Sequence, residues 1–182
     1  VILAFSCLNT DQSTIGLSAL FYSYNHPNSG SYVYAPASAV MTMYEDGDLR
    51  KDVSITTLDN LNFINKYPSG QKGTDPVVIS RLAEMYLISA EAQGVLKGLD
   101  RLNELRQARG LNKIVPGSEA EFIDAILDER RKEFLCEGHR WYDLVRTGKA
   151  VEQLGIQEYQ TLMPIPAAER QTNRNLTQNP GY

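Results

Sequence analysis

The densest run of charged side chains lies between Glu129 and Arg146, where acidic and basic residues alternate with apolar ones. Arg130 falls within a helical apolar stripe that includes Ile126 and Phe134. A guanidinium there needs a carboxylate or carbonyl partner, because an unpaired buried charge is very costly. The pattern favours an ion-pair network that locks two helices together, with a catalytic or anion-binding cluster as the alternative. The predicted network comprises Glu129, Arg130, Glu133, Glu137, Arg140 and Asp143.

A second group of chemically useful residues is aromatic and lies in a short, loop-rich region near the start of the chain. Flat aromatic faces bind the apolar faces of sugars, and tyrosine offers that area with little loss of entropy. The alternative is that part of this group fills the core of a small lobe. The candidate ligand-binding residues are Tyr22, Tyr24, His26, Tyr32 and Tyr34.

Residues for catalysis or metal binding are few. The two histidines, His26 and His139, lack metal-ligand spacing to another histidine or a cysteine. The sequence contains no glycine-rich phosphate loop and no nucleophile elbow. Asp46-Gly47-Asp48 is typical of a turn, and without the rest of a loop signature it does not predict a calcium site. We therefore expect no enzymatic activity, no metal and no cofactor. A glycosidase-like carboxylate pair formed by the fold stays open.

Composition narrows the function classes further. The net charge of −4 and the absence of a basic stripe argue against nucleic-acid binding. Cys7 and Cys136 stand among apolar neighbours and are expected to be buried free thiols. No apolar run approaches the roughly 20 residues that a membrane-spanning helix needs. The start, Val1 to Cys7, fits a buried strand better than a lipoprotein cleavage site. Because the chain does not begin with methionine, we expect it to be a fragment of a longer protein.

The pattern predicts two regions that together form one structural unit. Residues 1–76 read as a loop-rich lobe of mixed strand and helix, and residues 77–182 as a helical core with an irregular tail. In the lobe the expected elements are a strand at Val1–Leu8, a turn-like stretch at 9–14, a strand or helix at Leu17–Tyr24, a helix at Ala37–Tyr44, and strands at Ser54–Thr57 and Asn62–Tyr67.

The second region is dominated by helical periodicity. Predicted helices cover Val77–Val95, Leu99–Arg109, Glu119–Cys136 and Trp141–Val145, with Gly98 separating the first two and Ser118 capping the third. These form two consecutive helical hairpins of the tetratricopeptide-like kind. Trp141 and Tyr142 are expected to belong to the helical core. After Ile156, closely spaced prolines predict irregular structure. The fold class is thus mainly α, with tetratricopeptide-like hairpins and a loop-rich lobe containing a few short strands.

Four ordered segments carry a family resemblance. The segment from Glu129 to Arg146, ERRKEFLCEGHRWYDLVR, closely resembles the hallmark of the SusD/RagB family. The helix RLAEMYLISAEA and the following LNELRQARG resemble two further family segments. The close, from MPIP to NLTQNPGY, is similar to the family's C-terminal motif, although Arg174 stands where the family often has proline.

This resemblance implies a setting that the residues alone do not give. Family members are lipid-anchored proteins on the outer-membrane surface of Bacteroidetes, and they capture oligosaccharides for a SusC-like TonB-dependent barrel. The chain would be the C-terminal portion of such a nutrient-binding lipoprotein, with the lipid anchor outside it. A helical interaction scaffold of the transporter complex, binding peptide or no ligand, is the alternative. The family segments are helical packing elements and imply no ligand contacts.

Overall fold

The computed structural model describes residues 1–8 and 16–182, so the turn-like stretch predicted at 9–14 lies outside the described residues. The described chain forms two compact units, 1–137 and 138–182. The first unit contains, in order, β1(Leu3–Phe5), α1(Leu17–Phe21), α2(Ser38–Met41), α3(Lys51–Ser54), β2(Ile55–Leu58), β3(Leu61–Ile64), a 3-10 turn (Gly70–Lys72), β4(Val77–Ser80), α4(Leu82–Ala108) and α5(Glu119–Glu133). The second contains α6(Arg140–Arg146), α7(Ala150–Leu154), a 3-10 turn (Glu158–Thr161) and α8(Ala167–Thr172). The mainly α fold class with a few short strands is confirmed.

The lobe's strands pair as two antiparallel ribbons. β1 pairs with β4, so the middle of the apolar run at the chain start forms a strand. The strand is not the buried one that we expected, because Leu3 and Phe5 are exposed. β2 and β3 form a hairpin in which Leu58 opposes Leu61. The two residues of its turn, Asp59 and Asn60, have φ angles of 51° and 61°. Positive φ at both central positions is the requirement of a type I′ hairpin turn, and Asp and Asn tolerate it better than most residues.

The predicted helix at Val77–Val95 is wrong at its start. Val77–Ser80 is a strand, because a short run of β-branched residues is ambiguous in periodicity and here finds a partner in β1. The helix begins at Leu82 and is broken at Gly94, four residues before the predicted break at Gly98. Gly94 has a φ of 66°, outside the helical region, and the Glu119 carboxylate accepts the Val95 N–H at 3.0 Å.

The two halves of α4 form a helical hairpin about Gly94. A Cβ on Gly98 would lie 2.0 Å from the carbonyl oxygen of Ala90, so only glycine allows the second half to fold back this closely. α5 completes the core, and Ser118 caps it as predicted by accepting the Glu121 N–H at 3.2 Å. The core of this helical layer comprises Ala83, Leu87, Ala90, Leu102, Leu105, Phe122, Ile126 and Phe134. Each of its large apolar side chains contributes about 1.5–3 kcal/mol when fully buried.

The predicted lobe, residues 1–76, and the helical hairpin both lie within the first compact unit. Hydrogen bonds join the lobe to the end of α5 and to the turn that follows it. The Tyr44 hydroxyl donates to the Lys132 carbonyl at 3.1 Å, and the Tyr67 hydroxyl to the Cys136 carbonyl at 2.7 Å. The Lys66 ammonium donates to the Glu133 carbonyl at 2.7 Å. The bonds to Lys132 and Glu133 satisfy carbonyls that the end of α5 leaves without intrahelical partners.

The second unit combines short helices with a tail held by side-chain bonds. The tail is less irregular than expected, because α8 starts directly after Pro166, whose φ of −55° suits a helix start. The Gln178 amide both accepts from and donates to the backbone of Ile165. Tyr142 is 72% exposed, contrary to its predicted place in the core, since it lies two positions before the buried Leu144 and faces the other way.

The two cysteines differ from the expectation that both are buried. Cys7 is half-buried and Cys136 exposed, so neither is the buried thiol that its apolar neighbours suggested. Cys136 has a φ of 58° at the turn after α5, where the chain leaves the core.

Among the helices of the described residues, none is both long and apolar enough to cross a membrane.

Candidate ligand-binding site

An open groove of about 320 Å³ lies between the segment after α1 and the β2–β3 hairpin. Two stretches that are far apart in sequence form it, and the hairpin turn brings the second to the first. We call this feature the groove; it is lined by Ser23, Tyr24, Asn25, His26, Leu58, Asp59, Leu61 and Phe63.

The floor of the groove is an aromatic stack centred on Phe63, which is only 1% exposed. The ring centroid of Phe63 lies 4.8 Å from that of His26, 5.8 Å from Tyr22 and 5.3 Å from Tyr32. Tyr22 is held from below, since its hydroxyl donates to Asn65 Oδ1 at 2.7 Å. Tyr32 is held by donation to the Asn62 carbonyl at 2.8 Å. The floor is therefore fixed by packing and by directed bonds.

His26 supplies a defined hydrogen-bonding group at the groove wall. Its Nδ1 accepts the backbone N–H of Asn28 at 3.0 Å, so the proton of the neutral ring resides on Nε2. Burial lowers the pKa of His26, because the charged imidazolium would lose solvation. At neutral pH the side chain is therefore an uncharged ring with an N–H donor on Nε2.

The rim combines an exposed aromatic ring with apolar and acidic groups. Tyr24 is 80% exposed, and Leu58 and Leu61 leave about 40% of their surface in solvent. Asp59 projects from the hairpin turn, which a hydrogen bond of 2.9 Å from Thr57 to Asn62 stabilises across the strands. A flat ring, apolar walls and a few convergent polar groups are typical of a small-molecule site.

The predicted aromatic candidates fall into different environments. Tyr24 and His26 line the groove. Tyr22 is fully buried in the stack beneath it, so its ring has no free face for a ligand, which corrects that part of the prediction. Tyr32 is half-buried, and Tyr34 is 59% exposed with its ring 6.3 Å from Phe21. Neither of the last two lines the groove.

Six of the eight lining residues were missed from the sequence, namely Ser23, Asn25, Leu58, Asp59, Leu61 and Phe63. Asp59 carried a usable signal, because an Asp-Asn pair between two strand-like runs indicates a hairpin turn. The position of that turn relative to Tyr24 depends on tertiary packing, which a local pattern does not contain.

A second polar assembly, the charge cluster, lies between the lobe and the ends of α4 and α5. It is mostly buried and almost every charge in it has an opposite partner. Its members are Glu45, Asp48, Arg50, Lys66, Arg81, Arg106, Arg109, Glu129, Lys132, Glu133 and Glu137.

Glu133 is the acidic centre of the charge cluster. Arg109 binds it in a bidentate manner, with Nε and Nη2 donating at 3.0 and 2.8 Å. Arg81 also pairs with it, and Arg50 Nη1 lies 3.3 Å from Oε2. Burial alone would raise the pKa of Glu133, but hydrogen bonds from Arg109 and Arg81 outweigh it and lower the pKa to about 2. Glu133 is therefore ionised at neutral pH.

Glu129 and Asp48 form the other half of the charge cluster around Arg50. Asp48 accepts two bonds from the Arg50 side chain, at 2.9 and 2.7 Å. Glu129 Oε2 lies 2.8 Å from Arg50 Nη1 yet has no partner with hydrogen-bond geometry, so this contact is an ion pair without an aligned bond. Arg106 pairs with the second oxygen of Glu129. The Asp46–Asp48 stretch thus serves an arginine and not a cation site.

The predicted ion-pair residues divide between the two units. Glu129, Glu133 and Glu137 lie together in the charge cluster. Arg130 is buried, with its guanidinium carbon 5.0 Å from the centre of the Phe134 ring. In the second unit, Arg140 donates to Gln153 at 2.7 Å and Asp143 pairs with Arg146 at 2.9 Å.

The arginine partners of these glutamates come from outside the predicted segment. The four arginines that bind these glutamates are each 20 or more residues away from them in sequence, namely Arg50, Arg81, Arg106 and Arg109. Across residues 1–8 and 16–182, no group of three His, Cys, Asp or Glu side chains is arranged to hold a metal ion.

Comparison with known proteins identifies the family of the chain. Residues 62–161, more than half of the chain, match the SusD family. The chain belongs to the SusD family. The SusD-like protein P38 of Formosa agariphila is 35% identical over 123 residues, covering 58% of this chain and 24% of that protein. The starch-binding protein SusD of Bacteroides thetaiotaomicron is 37% identical over 123 residues, covering 58% of this chain and 21% of that protein.

Solved structures extend the likeness to the whole chain. A laminarin-binding SusD-like protein superposes with a TM-score of 0.75 at 25% identity, covering 100% of this chain and 50% of that one. Surface glycan-binding protein A from Bacteroides fluxus gives a TM-score of 0.78 at 24% identity, with the same coverage. The chain therefore spans about a quarter of the matched curated relatives and half of these solved chains.

Proposed function

We propose that the protein containing this chain is a cell-surface binding protein that captures an oligosaccharide in the groove. Membership of the SusD family supports this, as do relatives whose names record binding of starch and laminarin. Within this chain, the proposal rests on Tyr24, which is 80% exposed beside the packed aromatic floor of the groove.

The chemistry of the groove suits a sugar ring. Tyr24 offers a flat face for the apolar C–H face of a pyranose, and Leu58 and Leu61 extend that apolar surface. Hydroxyl groups at the ring edge find an acceptor in the Asp59 carboxylate and a donor in His26 Nε2–H. The Asn25 amide supplies both. Because the floor is fixed before binding, little entropy is lost in forming the site.

Binding without hydrolysis is the better interpretation of these residues. A glycosidase needs two carboxyl groups across the scissile bond, one of them protonated to act as an acid. Among the described residues that line the groove, Asp59 supplies the one carboxylate. The carboxylates of the charge cluster are committed to arginines, and the low pKa of Glu133 makes it a poor proton donor.

Family membership also supports a proposal for the biological setting. We propose that a lipid anchor holds the full-length protein on the outer-membrane surface, where it passes captured glycan to a SusC-like TonB-dependent barrel. Affinity capture of such a barrel from outer membranes by the full-length protein tests this step. Capture that persists after glycan binding is abolished would separate the two roles.

Calorimetric titration of the full-length protein with malto- and laminari-oligosaccharides tests the capture proposal. We expect saturable binding and no release of shorter sugars on prolonged incubation. Hydrolysis of either substrate would overturn the binding assignment. Absence of binding to any member of a broad glycan array would overturn the glycan assignment.

A further inference from the structure

The charge of the groove points to a narrower class of ligand. Of the side chains that line it within the described part of the chain, none is a lysine or an arginine. Asp59 is the one member that carries a charge at neutral pH. Ser23, Tyr24 and Asn25 contribute neutral hydroxyl and amide groups.

His26 does not supply the missing positive charge. Its Nδ1 is occupied by the Asn28 N–H, and protonating that nitrogen would replace an attractive contact with a repulsive one. The packing of the ring against Phe63 and Tyr22, with centroid distances of 4.8 and 4.4 Å, also disfavours the imidazolium. A lowered pKa agrees with both contacts.

An acidic sugar would therefore meet the wrong electrostatic environment. A uronate or sulfate group entering the groove loses water and finds no cation, while the Asp59 carboxylate repels it. Uncharged hydroxyl groups meet no such penalty, since each can donate to Asp59 or accept from His26 Nε2–H. Recognition of anionic groups in proteins normally uses arginine or lysine for this reason.

We propose that the groove selects uncharged oligosaccharides and discriminates against glycans that carry uronate or sulfate groups. This inference rests on the proposed capture function and narrows its ligand class. It concerns the sugar residue that contacts Tyr24 and Asp59. Selectivity here arises mainly from the exposed Asp59 carboxylate and from the lack of a cation among the described lining residues.

Binding of the full-length protein to a glycan array, with hits titrated at two salt concentrations, tests the inference. Every hit is expected to be uncharged, with an affinity that changes less than twofold between 0.05 and 0.5 M NaCl, roughly as neutral ligands should behave. Acidic oligosaccharides of matched length, such as oligogalacturonate, should bind at least about tenfold more weakly than the neutral hits.

Asp59→Asn is the sharper variant, because asparagine tolerates the positive φ of this turn position. It should reduce the ratio of the affinities for neutral and acidic oligosaccharides by about threefold or more. The matched control is Asp46→Asn, which is exposed and outside the groove and should leave this ratio unchanged. Tight, Tyr24-dependent binding of an acidic glycan would overturn the selectivity but keep the capture function. No binding to any glycan would overturn both.

Discussion

The groove and the charge cluster both bring together side chains from distant segments of the first unit. They differ in whether those side chains are paired with one another or left exposed. In the charge cluster nearly every carboxylate is buried and paired, as Glu133 is with Arg81 and Arg109. In the groove, Tyr24 is exposed and Asp59 has no cationic neighbour among the lining residues. A side chain whose charge is already paired has no hydrogen-bonding capacity left for a ligand. The charged residues that stand out in the sequence therefore stabilise the fold.

This contrast predicts that the two sites respond differently to substitution. Variants in the charge cluster should change the free energy of unfolding, and variants at the groove rim should change ligand affinity with little effect on stability. Each of the following experiments tests whether stability and ligand affinity depend on different residues.

The largest effect is expected from Glu133→Gln in the charge cluster. It removes the carboxylate shared by Arg81, Arg109 and Arg50. Arg109 loses both of its bidentate hydrogen bonds, and the charge cluster keeps its buried cations with one carboxylate fewer. We expect a loss of about 3–5 kcal/mol in the free energy of unfolding, measured by urea denaturation. The control Glu104→Gln breaks the exposed pair with Arg101 and should cost less than about 1 kcal/mol. Equal small losses would show that the cluster is not structural.

The pH dependence of stability should reflect the same carboxylate. The pKa of Glu133 is about 2 in the folded protein against 4.5 in the reference state, so its contribution is complete above pH 4.5 and is lost as the pH falls toward 2. The difference between these two pKa values corresponds to about 3 kcal/mol of stability. Chemical denaturation across this range should show the loss in the wild type and a flatter profile in Glu133→Gln. Parallel profiles would contradict the assignment.

At the groove rim, Tyr24→Ala should lower oligosaccharide affinity by about tenfold or more, since an exposed stacking face is lost. The free energy of unfolding should change by less than about 0.5 kcal/mol, because the side chain is mostly in solvent. Tyr142→Ala, which removes an equally exposed tyrosine from the second unit, should leave the affinity unchanged. Titration calorimetry and denaturation of the same preparations give both quantities. Equal affinity loss in the two variants would contradict a role for the groove.

The smallest effect is expected from Tyr22→Phe beneath the groove. This change removes the hydroxyl that donates to Asn65 Oδ1 at 2.7 Å while keeping the ring stack. It should cost about 1 kcal/mol of stability and leave the affinity within about twofold. Tyr24→Phe is the matched control and should not change stability. A larger affinity loss for Tyr22→Phe than for Tyr24→Ala would place the ligand elsewhere.

The sequence predicted what depends on local pattern. The capped α5 helix, with Ser118 at its start, and the fold-back of α4 follow from periodicity and from glycine, although the break falls at Gly94 and not Gly98. The three apolar residues of Val77–Ser80 fit either a helix or a strand, and pairing with β1 decides between the two.

The site was harder to predict, because tyrosines in one loop-rich segment differ only in how the loop is packed. Tyr22 and Tyr24 are two residues apart, yet one is fully buried and the other is 80% exposed. Likewise, Glu133 was recognisable as an ion-pair member, but its partners Arg81 and Arg109 lie 52 and 24 residues away. The spacing of neighbouring residues indicates neither which tyrosine is buried nor which arginines bind the glutamate.

A crystal structure of the full-length protein with a bound neutral oligosaccharide would show whether the groove holds the sugar. We expect a sugar ring with its carbon face on Tyr24, within about 4 Å, and a hydroxyl group on the Asp59 carboxylate. An oligosaccharide bound at a different aromatic surface, with Tyr24 still in solvent, would contradict this expectation.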